Sequence, residues 1–314
     1  MEGKARREGW FAHPALMLAC GMLLAAAGPA TGREAPMRQT LVHDGMVRSY
    51  LLRIPPGRAR AATAMPLVIL LHGGGGNAEH GEAMSGFTPK GAREGFIVAY
   101  PDGSGRMKDK LLTWNAGHCC GHAMQNRIDD VGFIGALIDR LIRDYPVDPK
   151  RIYVTGISNG GMMAHRLGSE LSHRITAIAP VAAAVFGDEK MAARPVSALM
   201  INGMLDRSVP YQGGAPGGRF PDAWDGMPVK PALAQAEFWA QANRCSGNPV
   251  KREQGAIMHW QYECPSGTAV ELLLLADTGH AWPGGQRGRR NADDPGSSLN
   301  ATDVIWEFFR NLVR

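Results

Sequence analysis

Short apolar runs alternate with amphipathic segments along this chain, and that alternation limits the folds open to it more than any other feature. MPLVILLHGGGG and EGFIVAYPDG are apolar almost throughout and end in turn residues, which is typical of strands buried on both faces of a sheet. DDVGFIGALIDRLIRDY instead carries apolar residues at helical spacing, and Asp129 or Asp130 can cap its first turn. The pattern predicts an α/β fold, with a mostly parallel central sheet and helices on both faces.

The same alternation continues towards the C-terminus. The remaining predicted strands are RIYVTGIS, ITAIAPVAA, SALMINGM and ELLLLADTGH, and the remaining predicted helices are GGMMAHRLGSEL, PALAQAEFWAQAN and TDVIWEFFRNLV. Before them, MRQTLVHDGMVRSYLLRIPP alternates around Asp44-Gly45, which indicates a hairpin. Residues 211–231 have neither period. Such a long irregular stretch is more often functional or mobile than neutral, and the sequence leaves open whether it closes over a site.

The N-terminus is typical of a secretory signal. Lys4, Arg6 and Arg7 precede a short apolar run, which small residues follow up to Gly32. We therefore expect a signal peptide over residues 1–32 and a secreted or periplasmic protein. The run is too short and too rich in Ala and Gly to predict a stable membrane anchor.

The composition suits one sizeable domain over residues 33–314. The chain has 314 residues, of which 45% are hydrophobic, so it can bury a full core. Its formal charge is +5, but the basic residues are scattered and carry no nucleic-acid motif. A nucleic-acid partner is not expected, and the oligomeric state stays open.

Four cysteines remain if the signal, with Cys20, is removed. An even number in an oxidising compartment favours disulfides. Cys245 and Cys264 enclose a hairpin-like segment, which suits a bond between them. Cys119 and Cys120 would then bond to each other or remain free thiols. HCCGH also admits a zinc site, but its ligands are crowded into five residues and lack a second half elsewhere.

A serine lies between two glycines where a predicted strand meets a predicted helix. In RIYVTGISNGGMMAHRL, Gly156-Ile157-Ser158-Asn159-Gly160 fits the G-x-S-x-G pattern, which makes a sharp turn and exposes the serine oxygen. The helix N-terminus places N–H groups and a positive dipole end beside it. Ser158 is thus a candidate nucleophile, whereas the simplest alternative is an N-cap serine at a glycine-rich helix start.

A serine nucleophile needs a base, and the base needs an acid that orients it. Asp206 follows the predicted strand SALMINGM, and His280 follows ELLLLADTG, in the chain order that such triads take on this kind of sheet. His259 lies within a strand and His165 on the helix behind the serine, so both are weaker candidates for the base. Asp277 is close to His280 in sequence and more plausibly shapes its turn.

The loop after the first buried strand is almost free of side chains. In His72-Gly73-Gly74-Gly75-Gly76-Asn77, the backbone can approach a substrate, and with the N–H of Asn159 it can form an oxyanion hole. Gly74 is the candidate donor and Gly73 the second choice. A phosphate loop would need G-K-[ST] after the glycines, and none is present. We expect His72 to be a structural hydrogen-bonding residue.

These motifs recur together in one known group of proteins. They are, in order, LLHGGGGN, AYPDG, TWNAGHCCGHA, DDVGFIGALID, DPKRIYVTGISNGGMMAHRL, APVAA, VPYQGG, FWAQANRC, GHAWPGG and NATDVIWEFF. From about His72 to the C-terminus, the chain resembles the secreted polyhydroxybutyrate depolymerase and feruloyl esterase group. Those enzymes are α/β-hydrolases grouped with carbohydrate esterase family 1, and the resemblance implies the same fold here.

The resemblance also implies roles for individual residues. Ser158 would be the nucleophile, Asp206 the acid and His280 the base of a cofactor-free hydrolase that forms an acyl-enzyme from feruloyl-type or short hydroxyalkanoate esters. Trp114 and Trp282 would help to line the acyl site. The pair Cys119-Cys120 would be structural.

One position departs from the group's pattern. The group often has H-G-x-x-D before the acid, and this chain has Asn202 in place of the His. We expect that change to alter loop packing or hydrogen bonding and to leave the chemistry intact. Two alternatives stay open: a serine peptidase on the same fold, and a non-catalytic binding protein that has kept it. The chain carries no G-x-G-x-x-G after its first strand, which disfavours a cofactor-dependent oxidoreductase.

Overall fold

Ten strands form one sheet in the computed structural model, which describes residues 37–217, 223–265, 267–288 and 292–314. The strands are β1 (Met37–His43), β2 (Met46–Arg53), β3 (Met65–Leu71), β4 (Ile97–Pro101), β5 (Val147–Ile157), β6 (Ala177–Val181), β7 (Ser197–Gly203), β8 (Ser246–Gln254), β9 (Ile257–Glu263) and β10 (Val270–Leu275). The helices in these ranges are α1 (Ala78–Ser85), α2 (Phe87–Glu94), α3 (Gly121–Gln125), α4 (Asp130–Asp144), α5 (Asn159–Glu170), α6 (Ala232–Ala242) and α7 (Ala301–Arg310). The predicted signal peptide, residues 1–32, lies outside the described residues.

The sheet is parallel at its centre and antiparallel at both edges. Its order is β1-β2-β4-β3-β5-β6-β7-β10-β9-β8. Neighbours from β4 to β10 in that order run parallel, whereas the β1–β2 and β8–β9 hairpins join antiparallel at the two sides. The predicted α/β class with a mostly parallel central sheet is confirmed, and His43 pairs with Met46 across the predicted Asp44-Gly45 turn.

Strand β3 shows why the central strands read as continuous apolar runs. Leu67 and Ile69 point into one core, while Val68 and Leu70 point into the other, and all four are at most 1% exposed. The first core also takes its side chains from α4, α5 and α6, and the second from α1, α2 and α7. Since helices cover both faces, every position of such a strand is buried.

Three helices were not expected from the sequence. α1 and α2 come from AEHGEAMS and FTPKGARE, where glycines and charges interrupt the apolar period, and α3 spans only five residues. Asn77 caps α1, because its side chain accepts a hydrogen bond from the backbone N–H of His80. That cap fixes where the glycine loop ends and the helix begins.

Close backbone contact seats α5 against the sheet. A Cβ atom on Gly156 would lie 2.7 Å from the carbonyl oxygen of Leu71, and one on Gly160 would overlap the carbonyl oxygens of Leu71 and His72. Glycine at these two positions therefore lets the helix start directly beside the end of β3. This brings the predicted nucleophile and the glycine loop together.

Two disulfides tie loops to the fold. Cys245 is bonded to Cys264 with an S–S distance of 2.03 Å, as the hairpin spacing suggested, and this bond links the end of α6 to the end of β9. Cys119 is bonded to Cys120, which is the neighbour-pair alternative that the sequence left open. Both members of that pair are buried.

Candidate active site

Ser158 occupies the sharp turn between β5 and α5. Its backbone dihedrals are φ 56° and ψ −125°, a conformation that non-glycine residues rarely adopt and that tertiary contacts must hold in place. One such contact is the hydrogen bond that its N–H donates to the carbonyl of Val181, at 2.9 Å. The turn is the strand-to-helix elbow that G-x-S-x-G predicts, and the serine borders a cavity of about 400 Å³.

His280 and Asp206 reach this serine from two other loops. His280 Nε2 lies 2.9 Å from Ser158 Oγ, and His280 Nδ1 lies 2.8 Å from Asp206 Oδ2. The loops follow β10 and β7, and these parallel strands end at the same edge of the sheet as β5. The three candidate residues thus form one continuous hydrogen-bonded chain, although they are separated by 122 and 74 positions in sequence.

Asp206 is held as an acceptor from both sides. Its Oδ1 accepts backbone hydrogen bonds from Ser208 and Val209, each at 2.8 Å, while Oδ2 faces the imidazole. An ionised carboxylate accepts hydrogen bonds only, so the shared proton lies on His280 Nδ1. The lone pair of Nε2 then points at Ser158 Oγ, which is the tautomer that a general base requires.

Charge around His280 favours its protonated form. Burial by itself lowers the pKa of His280, but the hydrogen bond and charge of Asp206, together with the charge of Asp293, outweigh it. The net pKa lies above the usual 6.5. The imidazole of His280 can therefore hold a proton, and its neutral form predominates only at a pH above this raised value.

The glycine loop lies against the elbow. A Cβ on Gly73 would lie 3.6 Å from Ser158 Cβ, and one on Gly74 would lie 3.6 Å from Asn159 Cβ. Gly75 and Gly76 donate their N–H groups to Leu112 and Gly73, whereas the N–H groups of Gly73 and Gly74 meet no acceptor among the described residues.

Asn159 supplies the facing donor. As the first residue of α5, it has a backbone N–H without an intrahelical acceptor. This N–H and that of Gly74 suit the predicted oxyanion hole, and Gly73 remains the second choice.

Trp114 contacts the backbone of His72 and the side chain of Asn159, and it does not line the cavity around Ser158. It is fully buried, its indole Nε1–H donates to the carbonyl of His72 at 3.0 Å, and its backbone exchanges two hydrogen bonds with the side chain of Asn159. Trp114 thus makes structural contacts and does not occupy the position in the acyl site that was expected of it. The sequence shows an aromatic residue near the motif, but not the direction in which it packs.

Trp282 does border the cavity that contains Ser158. The indole is 1% exposed, packs edge-on against Phe87 at 6.1 Å, and donates to Thr302 Oγ1 at 3.0 Å. Met84 lies on the same cavity wall, and the exposed side chains of His80 and Gln286 border it. The cavity thus combines an apolar wall with polar groups near its opening.

The alternative bases lie elsewhere. His165 is buried between Trp239, which donates to its Nδ1 at 2.9 Å, and Gln235, which lies 2.8 Å from its Nε2. His259, on β9, lies 2.7 Å from Glu271. Neither borders the cavity around Ser158.

The residues of HCCGH have separate surroundings. His118 lies between Asp188 and Asp225, at 2.8 and 2.6 Å, while His122 lies against Asn126. In the described ranges, no group of three or more His, Cys, Asp or Glu residues is arranged to hold a metal ion. The sulfurs of the two intervening cysteines are bonded to each other.

Asn202 joins a buried polar network beside the acid loop. Its side chain donates to the carbonyl of Ala183 at 2.8 Å and accepts from Gln235 at 3.3 Å. Gln235 also contacts His165, so the network connects β7 to α6 and α5. The departure from the family pattern therefore affects buried hydrogen bonding at the end of β7.

In the described part of residues 211–231, backbone hydrogen bonds join the beginning of the segment to its end. Gly214 and Val229 exchange two backbone hydrogen bonds of 2.9 Å, and Trp224 pairs with Cys119. Among the described residues of this segment, none borders the cavity around Ser158. The structure thus gives the described part of the segment a folded base outside the cavity around Ser158.

Asp293 was not among the residues predicted from the sequence. Its carboxylate accepts a hydrogen bond from the backbone N–H of His280 at 2.6 Å. It lies in a loop without periodicity, 13 residues beyond the base, so no sequence signal points to it.

Acid is expected to destabilise the protein through two buried histidines. Burial lowers the pKa of His72 and of His165 to about 4, from 6.5. His72 Nε2 accepts a hydrogen bond from Gly103 N–H at 3.0 Å, so a proton there would replace an acceptor with a donor. A folded-state pKa below the unfolded value gives stability that is present above pH 6.5 and lost as pH falls towards 4, about 3 kcal/mol for each histidine.

Urea unfolding at pH 7 and pH 4.5 measures this effect. His72→Gln keeps an acceptor without a titrating ring and should show a weaker pH dependence, while His80→Gln, at an exposed histidine, should behave as the wild type. Equal unfolding free energies for the wild type at the two pH values would contradict the prediction.

Comparison with known proteins assigns the fold. The structure of an acetyl xylan esterase from Aspergillus awamori matches with a TM-score of 0.60, covering 87% of this chain and 98% of that one at 13% identity. At that identity the likeness concerns the fold alone. Together with the sheet order and the helices on both faces, it defines an α/β-hydrolase fold, as predicted.

Sequence comparison then assigns the family. The family described as esterase PHB depolymerase matches residues 48–213, just over half of the chain. Feruloyl esterase B of Piromyces equi is 33% identical over 249 residues, which is 77% of this chain and 44% of that protein. Poly(3-hydroxyalkanoate) depolymerase C of Paucimonas lemoignei is 26% identical over 315 residues, which is 95% of this chain and 71% of that protein.

This chain belongs to the esterase PHB depolymerase family. The predicted family is confirmed, and the two relatives above are named as a feruloyl esterase and a poly(3-hydroxyalkanoate) depolymerase. The chain spans less than half the length of feruloyl esterase B, so that protein's substrate is not transferred to this chain.

Proposed function

We propose that this chain is a serine carboxylic-ester hydrolase that works through an acyl-enzyme. The observation that carries the proposal is the continuous chain from Asp206 through His280 to Ser158 Oγ, with contacts of 2.8 and 2.9 Å. Within the described ranges, the backbone N–H groups of Gly74 and Asn159 have no hydrogen-bond acceptor, and Gly74 lies against Asn159, the residue after Ser158. This combination supplies a nucleophile, a base and an oxyanion site within one cavity.

The first half of the reaction uses the proton affinity of His280. Its Nε2 takes the proton from Ser158 as Oγ attacks the ester carbonyl carbon, and the carbonyl oxygen becomes an anion. The N–H groups of Asn159 and Gly74 stabilise that oxyanion, and the helix dipole at the start of α5 adds to the effect. The imidazolium then gives its proton to the leaving alcohol as the C–O bond breaks.

The second half repeats the same steps with water. His280 accepts a proton from the water that attacks the acyl-enzyme, the tetrahedral oxyanion forms again, and Ser158 regains its proton as the acid leaves. Throughout, Asp206 holds the imidazole in one tautomer and stabilises its charged form. Every proton that moves is accounted for by side chains of this chain, the alcohol, water and the acid.

The cavity supports a small or extended acyl group as substrate. At about 400 Å³, with Trp282 and Met84 on its apolar wall, it can accept a hydroxycinnamoyl group or a hydroxyalkanoate unit. Relatives named for feruloyl esters and for polyhydroxyalkanoate fit the same two substrate classes. We therefore propose esters of these two kinds.

We further propose that the protein is exported. Lys4, Arg6 and Arg7 before an apolar run support a cleaved signal, and the disulfides suit an oxidising compartment. In the part of the chain that was described, no helix combines the length and the apolar character that crossing a bilayer requires.

Initial rates on three esters test the proposed function. Methyl ferulate, a 3-hydroxybutyrate dimer ester and p-nitrophenyl acetate should all be hydrolysed, with kcat/KM at least about tenfold higher for one of the first two, because only an acyl group that fills the cavity gains its full binding energy. An amide panel serves as the control for peptidase activity. Hydrolysis of amides at rates similar to the esters, or no turnover of any ester, would contradict the proposal.

A further inference from the structure

Asp293 lies beside the base but outside the chain of Asp206, His280 and Ser158. Its Oδ2 accepts the backbone N–H of His280 at 2.6 Å. It also borders two cavities: the one around Ser158, and a second one of about 840 Å³ next to Asp206. A carboxylate in this position can act on the base through its backbone and through its charge.

The loop of Asp293 and the loop of the base hold each other. Asp277, three residues before His280, accepts backbone hydrogen bonds from Ser297 and Ser298, both at 3.1 Å, and the hydroxyl of Ser298 at 2.8 Å. In turn, Asp293, at the start of the 293–298 segment, accepts a hydrogen bond from the backbone N–H of His280. Each loop thus contributes one carboxylate to the other's backbone, and the position of the imidazole depends on both.

The side chain of Asp293 is exposed to solvent on one side and lies close against Gly279 on the other. A Cβ on Gly279 would lie 2.5 Å from its Oδ2, so only glycine allows this approach. The contact joins a side chain to a backbone N–H that the reaction does not use, and it leaves the ring of His280 free to contact Ser158.

Few other charges face the base. Asp206 reaches its Nδ1, Ser158 its Nε2, and Asp293 its backbone. The remaining charged or titratable groups that border the two cavities are His72, His80, Arg207, Asp277 and Asp294. The ring of His72 contacts the backbone of Gly73 and Gly103, Asp294 pairs with Arg287, and Asp277 accepts hydrogen bonds from Ser297 and Ser298. Among the described residues, Asp293 takes part in no ion pair, so its charge is not neutralised by a described neighbour.

We infer that Asp293 is a positioning residue for the hydrolysis: it anchors the backbone of His280 and places a second negative charge near the imidazolium that forms during the reaction. This inference rests on the proposed function of Ser158, His280 and Asp206. The charge acts in the same direction as that of Asp206, which contributes more to the raised pKa of His280, and both oppose the effect of burial.

Two substitutions separate the anchor from the charge. Asp293→Asn keeps an oxygen that can accept the His280 N–H and removes the charge, whereas Asp293→Ala removes both. Asp294→Asn is the matched control, because it removes the same charge one residue further along, from a side chain that pairs with Arg287. Hydrolysis of p-nitrophenyl acetate is measured from pH 5 to 9, and circular dichroism verifies folding.

The inference predicts that the pH dependence of kcat/KM shifts when the charge of Asp293 is removed. In Asp293→Asn, the acid limb of kcat/KM should shift to lower pH, so that the fraction of plateau activity kept at pH 5.5 rises about twofold, and the shift should shrink in 1 M salt. Asp293→Ala should in addition lose about tenfold in kcat with little change in KM, since the base is displaced. Asp294→Asn should keep the wild-type profile.

An acid limb that stays in place in Asp293→Asn would overturn the inference, whatever Asp293→Ala does. An equal shift in Asp294→Asn would also overturn it, because the effect would then be one of general surface charge. Failure of the proposed function is a different result: it would appear as ester hydrolysis that survives the loss of the Ser158 hydroxyl.

Discussion

Ser158→Ala is expected to lower kcat for ester hydrolysis by about 10⁵- to 10⁶-fold. The substitution removes the oxygen that lies 2.9 Å from His280 Nε2, and no other described hydroxyl contacts that nitrogen. The residual rate would come from the oxyanion site and from substrate binding, which still act on an attacking water. The fold should persist, because alanine has nearly the same volume and the backbone contact to Val181 does not involve the side chain.

Two measurements make this result specific. Initial rates on p-nitrophenyl acetate give the loss in turnover, and labelling by a fluorophosphonate probe should disappear with the hydroxyl. Ser297→Ala is a suitable control, because that residue is exposed and uses only its backbone N–H, towards Asp277. Substantial hydrolysis by a cleanly purified Ser158→Ala protein would refute the nucleophile assignment.

Asp206→Asn should reduce kcat by about 10⁴-fold while leaving the fold in place. In the new side chain, the oxygen would keep the hydrogen bonds from Ser208 and Val209, so the amide nitrogen would face His280 Nδ1. That nitrogen donates, and therefore the imidazole proton would move to Nε2, opposite Ser158 Oγ. The base would then have no lone pair for the serine proton.

A comparison of two aspartates checks this explanation. Asp277→Asn alters a carboxylate that contacts Thr278, Ser297 and Ser298 and not the imidazole. Its amide oxygen can still accept the backbone N–H groups of Ser297 and Ser298, so it should cost far less in kcat than Asp206→Asn. Rates and circular dichroism of both variants give the contrast. A loss below about tenfold in Asp206→Asn would show that another group orients the base.

That the three candidate residues lie together could be predicted from the sequence for a simple reason. Ser158, Asp206 and His280 each follow a strand of the parallel part of the sheet, and such strands end at one edge. Strand recognition and chain order therefore suffice to bring the three together. The glycine loop was predictable in the same way, because it ends the strand next to β5.

Other parts of the site depend on packing directions that carry no local signal. Trp114 was expected near the acyl group, yet its indole turns inward to the carbonyl of His72. Asp293 and the His165–Gln235–Asn202 network arise from contacts between loops and helices that are far apart in sequence. α1 and α2 were also missed, because tertiary contacts stabilise them where their own periodicity is weak.

The sequence by itself determined the central apolar strands of the sheet, the elbow around Ser158 and the positions of Asp206 and His280 after two of those strands, because burial and glycine geometry leave a pattern in the residues that experience them. The tertiary structure alone decided which glycine N–H groups stay unpaired, which tryptophan reaches the cavity, and that Asp293 holds the backbone of His280. Those features depend on distances between separate loops. A single loop sequence is compatible with many such distances, and only the packed chain selects one of them.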